Sequence, residues 1–150
     1  MKIITVNKRG LHEYEILEKF EAGIVLSGDE IKSIRQNGVS LTDSFATVTR
    51  GEVSLLNCHI APYSHAFTKS YEPKRTRKLL LHRREIEKLA GNVSAKGLTL
   101  VPIKLYFGSR GYVKVELGLA RHKKLVNKKK ELKEKDLKRE ASRESKYSIK

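Results

Sequence analysis

The chain has 150 residues, 39% apolar and 33% charged, and its 32 Lys and Arg outweigh 17 Asp and Glu for a formal net charge of +15. That length suits one domain with room for a tail, and the charge points to a polyanionic partner, nucleic acid ahead of an anionic membrane surface. No apolar run approaches the ~20 residues of a spanning helix, residues 1–10 lack the apolar core expected of a signal peptide, and a lone Cys58 forms neither an internal disulfide nor a metal-ligand pair, so a reduced, cytoplasmic setting without metal or cofactor is expected.

In chain order, residues 1–10 are short and basic, with Ile3, Ile4 and Val6 able to lie along a sheet edge and Asn7-Lys8-Arg9-Gly10 read as a polar loop or arm. His12–Arg35 begins as a strand: Tyr14, Ile16, Phe20, Ala22, Ile24 and Leu26 fall on even positions, the period of one buried face. At Ser27 the pattern becomes helical. Ser27 and Glu30 are spaced as a capping box, Leu26 and Ile31 as a hydrophobic staple, and Gly38 is expected to supply the left-handed stop. Leu11–Arg35 carries six acids against three bases, an acidic strand and helix inside a basic chain.

Val39–Arg50 reads as a strand, Arg50-Gly51 as a tight turn, and Glu52–Pro62 as its hairpin partner, with Leu56, Cys58 and Ile60 on one face and a bulge suspected at Leu55. Residues 63–78 read as a polar loop. Basic Lys69, Lys74, Arg75, Arg77 and Lys78 are interleaved there with Tyr63, Phe67 and Tyr71. Cations meet phosphates and rings stack on bases, so the loop is a candidate RNA contact as well as an ordinary solvated loop. Ile86, Leu89, Ala90 and Val93 give a short helix stopped by Gly91. Leu98–Phe107 and Tyr112–Ala120 are strands, the first interrupted at Pro102, the second pointing Val113, Val115, Leu117 and Leu119 inward and Lys114 and Glu116 outward. The fold expected is mainly β with short helices: a small antiparallel OB-like β-barrel of about six strands over residues 1–122. Residues 123–150 form the basic tail. From Arg121 on, thirteen Lys and Arg face five Asp and Glu, and the apolar residues form no continuous stripe, so the tail is expected to be disordered alone and helical against a polyanion.

Nothing in the sequence assembles a catalytic set. His12, His59, His65, His82 and His122 show no metal-site spacing, and no phosphate loop or nucleophile elbow is present. A ribonuclease using two histidines is the weakest of three readings. A structural ribosomal or rRNA-binding protein is the runner-up, and a non-catalytic RNA-binding adaptor leads.

The segments HEYEILEKFEAGIVLSGDEIKSIR, SLTDSF, EPKRTRKLLLHRREI, LTLVPIKLYF and KVELGLARHKK, in that order from about Asn7 to about Lys135, resemble the SsrA-binding protein (small protein B) family. The resemblance implies a protein that binds the tRNA-like domain of tmRNA and reaches the empty A site of stalled ribosomes with GTP-bound elongation factor Tu on alanyl-tmRNA. It implies an oligonucleotide-binding type of core, a monomer, no membrane, and a tail that enters the vacant mRNA channel beyond the decoding centre. By the same resemblance Glu21, Leu80, Lys114 and Asn7 match family RNA-contact positions. With Lys8, Arg75, Arg77, Lys78, Arg121, Lys123 and Lys124 they make the expected RNA-binding set. Asn127, Lys128, Lys129, Lys130, Lys133 and Lys135 make the expected ribosome-binding tail. The chain departs from the family's AxGKKxxDKR at His122, Asn127 and Lys129, which stand for Gly, Asp and Arg. A lysine at position 129 keeps the charge but loses the bidentate fork.

Overall fold

A computed structural model describes residues 2–64 and 70–123, with only the backbone of 95 and 96. Nine strands and three helices run in the order β1 (Lys2–Val6), α1 (Lys8–Glu13), β2 (Tyr14–Ile24), α2 (Gly28–Arg35), β3 (Val39–Ser40), β4 (Phe45–Thr49), β5 (Glu52–Leu56), β6 (His59–Ile60), β7 (Arg77–Leu80), α3 (Arg83–Lys96), β8 (Thr99–Phe107) and β9 (Val113–His122) among the described residues. The main sheet has the order β1-β8-β4-β5-β7-β2-β9, and β9 pairs back onto β8. Six antiparallel strands therefore close into a ring, with β1 attached outside it on β8. The mainly-β class, the antiparallel pairing and the strand count agree with expectation. The tail beyond Lys123 lies outside the described residues.

Alternation builds the ring. Along β9, Val113, Val115, Leu117 and Leu119 are buried, and along β2 Phe20 and Ala22 are. They join Val53, Leu55, Leu79, Leu100 and Leu105 in one core. Even–odd order in β2 survives a bulge at Leu17, between the pairs Ile16–Ala120 and Glu18–Leu119. A second bulge sits in β8 between Pro102 and Lys104, where the missing N–H of Pro102 interrupts the ladder. The β4–β5 hairpin turns on Arg50 and Gly51, at φ 52° and 76°.

Several local expectations are corrected. Residues 8–13 are a helix, because the Asn7 side chain accepts the Gly10 N–H at 3.0 Å and caps it. The capping box of α2 is present, but its left-handed stop is Asn37, at φ 61°, and not Gly38. Gly38 follows it and donates its N–H to the Ser33 carbonyl at 2.9 Å. Helix α3 passes through Gly91 and ends at Gly97, which takes the left-handed conformation at φ 62°. The long strand read over 39–50 breaks into β3 and β4 at Asp43, at φ 61°. In the next segment Val53 and Leu55 are the inward residues of β5. Asn57, at φ 60°, then resets the phase so that Cys58 and Ile60 are buried too.

Candidate nucleic-acid interface

Strands β7, β2 and β9 lie side by side, and Gly23 pairs with Leu80 on one flank and Lys114 on the other. Residues paired across antiparallel strands share a face. Since Leu79, Ala22, Val113 and Val115 are buried, Leu80, Glu21, Gly23 and Lys114 share the outer face. With Leu81, His82 and Glu85 from the entry into α3 they line a cleft of about 470 Å³. Leu80 is 52% exposed although apolar. The Glu21 carboxylate is 63% exposed, and the Lys114 ammonium stands 3.8 Å from it. Tyr106 is paired with Lys114 across the β8–β9 ladder and is itself buried. Burial, then the neighbouring carboxylates of Glu21 and Glu116, push its phenol up to about 12, so at neutral pH it is a donor beside Glu21.

The cleft continues into a more apolar hollow of about 380 Å³ that shares Gly23, Leu80 and Lys114 and adds Val25, Ile31 and Tyr112. Tyr112 is 69% exposed. Its backbone is held in the β8–β9 turn, where its carbonyl accepts the Gly108 N–H at 2.8 Å. Sequence reasoning missed Tyr112, His82 and Glu85. The signal for Tyr112 was available: an aromatic directly after the turn glycine of two alternating strands, one residue before the first inward valine.

Two expected RNA contacts are inside the protein. Asn7 is buried, donates from its side-chain amide to the Pro102 carbonyl at 2.9 Å and caps α1, so its amide is committed to the fold. Arg77 is wholly buried, because strand parity places it on the same side as Leu79. Its guanidinium donates to Glu30 Oε2 and the Cys58 carbonyl, each at 2.7 Å, and to the Tyr71 hydroxyl and Pro73 carbonyl, each at 3.0 Å. Arg75, partly exposed, also spends its guanidinium on Glu30. Burial raises the Glu30 carboxyl, but hydrogen bonds from Arg75, the Ser27 N–H and Arg77 outweigh it and bring the pKa down to about 2. Beside this cluster, burial pushes the Cys58 thiol up to about 11, which leaves it an unreactive thiol.

The remaining expected positions are dispersed. Lys78 is exposed on β7 beside Glu52 at 3.5 Å. Lys8 is exposed on α1, and Arg121 pairs with Glu15 at 2.8 Å. The Lys123 N–H donates to the Glu13 carbonyl at 2.9 Å. Glu15 and Glu21 are six residues apart on one strand, about 20 Å, so Arg121 stands far along β2 from the groove. Lys124, Asn127, Lys128, Lys129, Lys130, Lys133 and Lys135 lie outside the described residues, as do His65, Phe67 and Lys69 of the loop. Among the described residues there is no cluster of three or more His, Cys, Asp or Glu able to hold a metal, and no helix is long and apolar enough to cross a membrane.

An ammonium, a carboxylate and an apolar wall around one cleft match the parts of a nucleotide. The cation meets phosphate, the carboxylate accepts from base N–H groups or a ribose hydroxyl, and the leucine packs on a ring.

The SmpB protein family matches residues 4–147. The SsrA-binding protein of Coprothermobacter proteolyticus is 50% identical, over 97% of this chain and 98% of its own. That of Syntrophobacter fumaroxidans is 53% identical, over 95% and 88%. A solved chain described under "tmRNA-SmpB: a journey to the center of the bacterial ribosome" is 54% identical, covers 81% of this chain and 85% of that one, and superposes with a TM-score of 0.66. A match over nearly the whole length, by sequence and by fold, places this chain in the SmpB protein family, the SsrA-binding proteins.

Proposed function

We propose that this chain is a non-catalytic adaptor that binds the tRNA-like domain of tmRNA and brings it to the empty A site of stalled bacterial ribosomes for trans-translation. It acts in the cytoplasm, with GTP-bound elongation factor Tu joined to the complex through alanyl-tmRNA. The observation that carries the reading is the convergence of Glu21, Leu80 and Lys114, distant in sequence, on one cleft of the outer sheet face. Lys114 supplies phosphate attraction and Leu80 a packing wall. Glu21 cannot attract phosphate, so its contribution is hydrogen-bond selectivity for bases or ribose. Lys78 and Tyr112 extend the cationic and apolar margins. Residues 1–122 form the tmRNA-binding core, and residues 123–150 form the tail that follows the vacant mRNA channel, carried there by its net charge of +7.

One binding experiment with three arms tests the proposal. Full-length protein is expected to bind tmRNA far more tightly than a scrambled RNA of equal length at physiological salt, and equal affinity would reduce the chain to a generic rRNA-binding protein. Glu21→Ala is expected to weaken tmRNA binding by about tenfold, the order of one hydrogen bond to a charged group, without changing the melting temperature. Removal of residues 127–150 is expected to leave that affinity mostly intact and to abolish peptide tagging on stalled ribosomes. Loss of affinity on truncation would instead put the main RNA site in the tail.

A further inference from the structure

Gly23 sits inside β2, where a glycine weakens a strand and marks a close approach by another backbone or a ligand. Nothing in the protein itself demands it. Its φ is outside the left-handed region, where only Gly51, Gly97 and Gly111 stand among the described glycines. A Cβ built on it would meet Leu80 Cβ at 3.4 Å, ordinary van der Waals contact, and no other atom closer. Neither conformation nor packing explains the missing side chain. Its surroundings do. Gly23 is the middle of the row Leu80–Gly23–Lys114. Between a leucine on β7 and a lysine on β9, strands separated by two sheet spacings or roughly 10 Å, it leaves a bare floor. Glu21, two residues back on the same face, lines the same cleft.

We infer that Gly23 is the floor of a slot that takes one unpaired nucleobase of the bound RNA, and that the base is guanine. This rests on the outer face being the tmRNA-binding face. Leu80 packs against the flat of the ring, and the Lys114 ammonium neutralises the phosphate next to it. Glu21 offers a carboxylate, a pure acceptor with two oxygens. Guanine alone presents two adjacent donors, N1–H and the N2 amino group, on its Watson–Crick edge. Adenine, cytosine and uracil each offer one donor position beside an acceptor, and an acceptor set against a carboxylate is repelled. A side chain at position 23 would stand where the ring lies.

The test uses the full-length chain and a transcript of the tRNA-like domain of tmRNA. Gly23→Ala is expected to fold and melt as the parent does and to bind the transcript about tenfold or more weakly, the scale of one lost base contact, with Gly23→Val weaker still. Independently of any variant's folding, transcripts carrying inosine at single unpaired guanines are offered to the parent protein. Inosine lacks only the N2 amino group. One position is expected to lose about tenfold, the order of one charge-assisted hydrogen bond, and that loss should vanish in Glu21→Gln. Unchanged affinity of Gly23→Ala, or no guanine at which inosine matters, overturns the slot. If Glu21→Ala and Lys114→Ala still weaken binding in that case, the outer-face reading stands and only the slot falls. If neither does, the outer-face reading falls with it.

Discussion

Two glutamates nine residues apart have opposite fates. Glu21 is 63% exposed, with a lysine 3.8 Å away across the open groove. Glu30 is 1% exposed and locked by two arginines, a tyrosine hydroxyl and a backbone N–H. Both pair with cations from the same region of the sheet, and a charge count treats them alike. The difference lies in the solvent and in the cation. A flexible lysine in water gives a weak, exchangeable partner, and with one phenol donor beside it, that of Tyr106, Glu21 keeps lone pairs for a ligand. Two planar guanidinium forks, the Tyr71 hydroxyl and the Ser27 N–H together occupy the buried Glu30 oxygens, and that carboxylate is spent on architecture. Its burden is to hold the connection from β6 to β7, because the Arg77 guanidinium it orients also satisfies the carbonyls of Cys58, Pro73 and Arg75.

The comparison breaks most visibly through Arg77. Arg77→Met keeps the volume and removes the charge, so Glu30 remains buried with one of its two arginines and three carbonyls lose the Arg77 donor. Breaking a buried pair from one side costs about 3–5 kcal/mol, and chemical denaturation should read a loss of that order. Lys114→Met makes the same chemical change in the groove. It should cost about 0–1 kcal/mol of stability, with its main effect on RNA affinity. Similar losses from both would erase the distinction.

Acid sharpens the contrast. Glu30 titrates near 2 in the fold against a reference value of 4.5. A depressed carboxylate pKa means that its stabilisation is complete above about pH 4.5 and drains as pH falls toward 2. At 1.36 kcal/mol per unit the amount is about 3 kcal/mol. Urea midpoints measured from pH 6 down to pH 2 should show this decline in the parent. Glu30→Gln, already less stable at pH 6, should show a flatter profile over that window.

How much of this was legible beforehand depends on whether a residue's role was local. Val113–Leu119, with its clean alternation, gave the inward face of β9 and thereby Lys114 as outward. The Ser27–Glu30 spacing gave the capping box. The second job of Glu30 was hidden, since its partners are 41 to 47 residues away. Arg77 was misplaced for a related reason. Counted into a basic loop it looked solvent-facing, yet RKLL is a strand, and parity with Leu79 alone would have turned it inward. Asn7 shows the same limit at the other end of the chain: its amide bond to Pro102 spans 95 residues, a relation no window of sequence contains. The groove was legible only in part. The positions of Glu21, Leu80 and Lys114 came from family resemblance, and their meeting across Gly23 depends on a register set by the closed ring.

The finest test concerns Arg75, which stands between the two regions. Its position in a basic stretch marks it as an RNA ligand. The structure instead directs its Nε and Nη2 to Glu30, with Nη1 near the Thr76 carbonyl at 3.4 Å. Its side chain is about one-third exposed, so its charge is screened more than that of Arg77 and its loss leaves Glu30 still held by Arg77, Tyr71 and Ser27. Arg75→Met should therefore cost about 1–2 kcal/mol, less than Arg77→Met, as a hydrogen bond to a charged group at a half-wet site does. The affinity for tmRNA should stay within about twofold, since one such factor is under 0.5 kcal/mol and none of Glu21, Leu80 and Lys114 loses a partner. A large drop in affinity with little loss of stability would move Arg75 across the boundary, to the RNA side. It would also show that a guanidinium bound to a buried carboxylate still presents enough field to hold a phosphate.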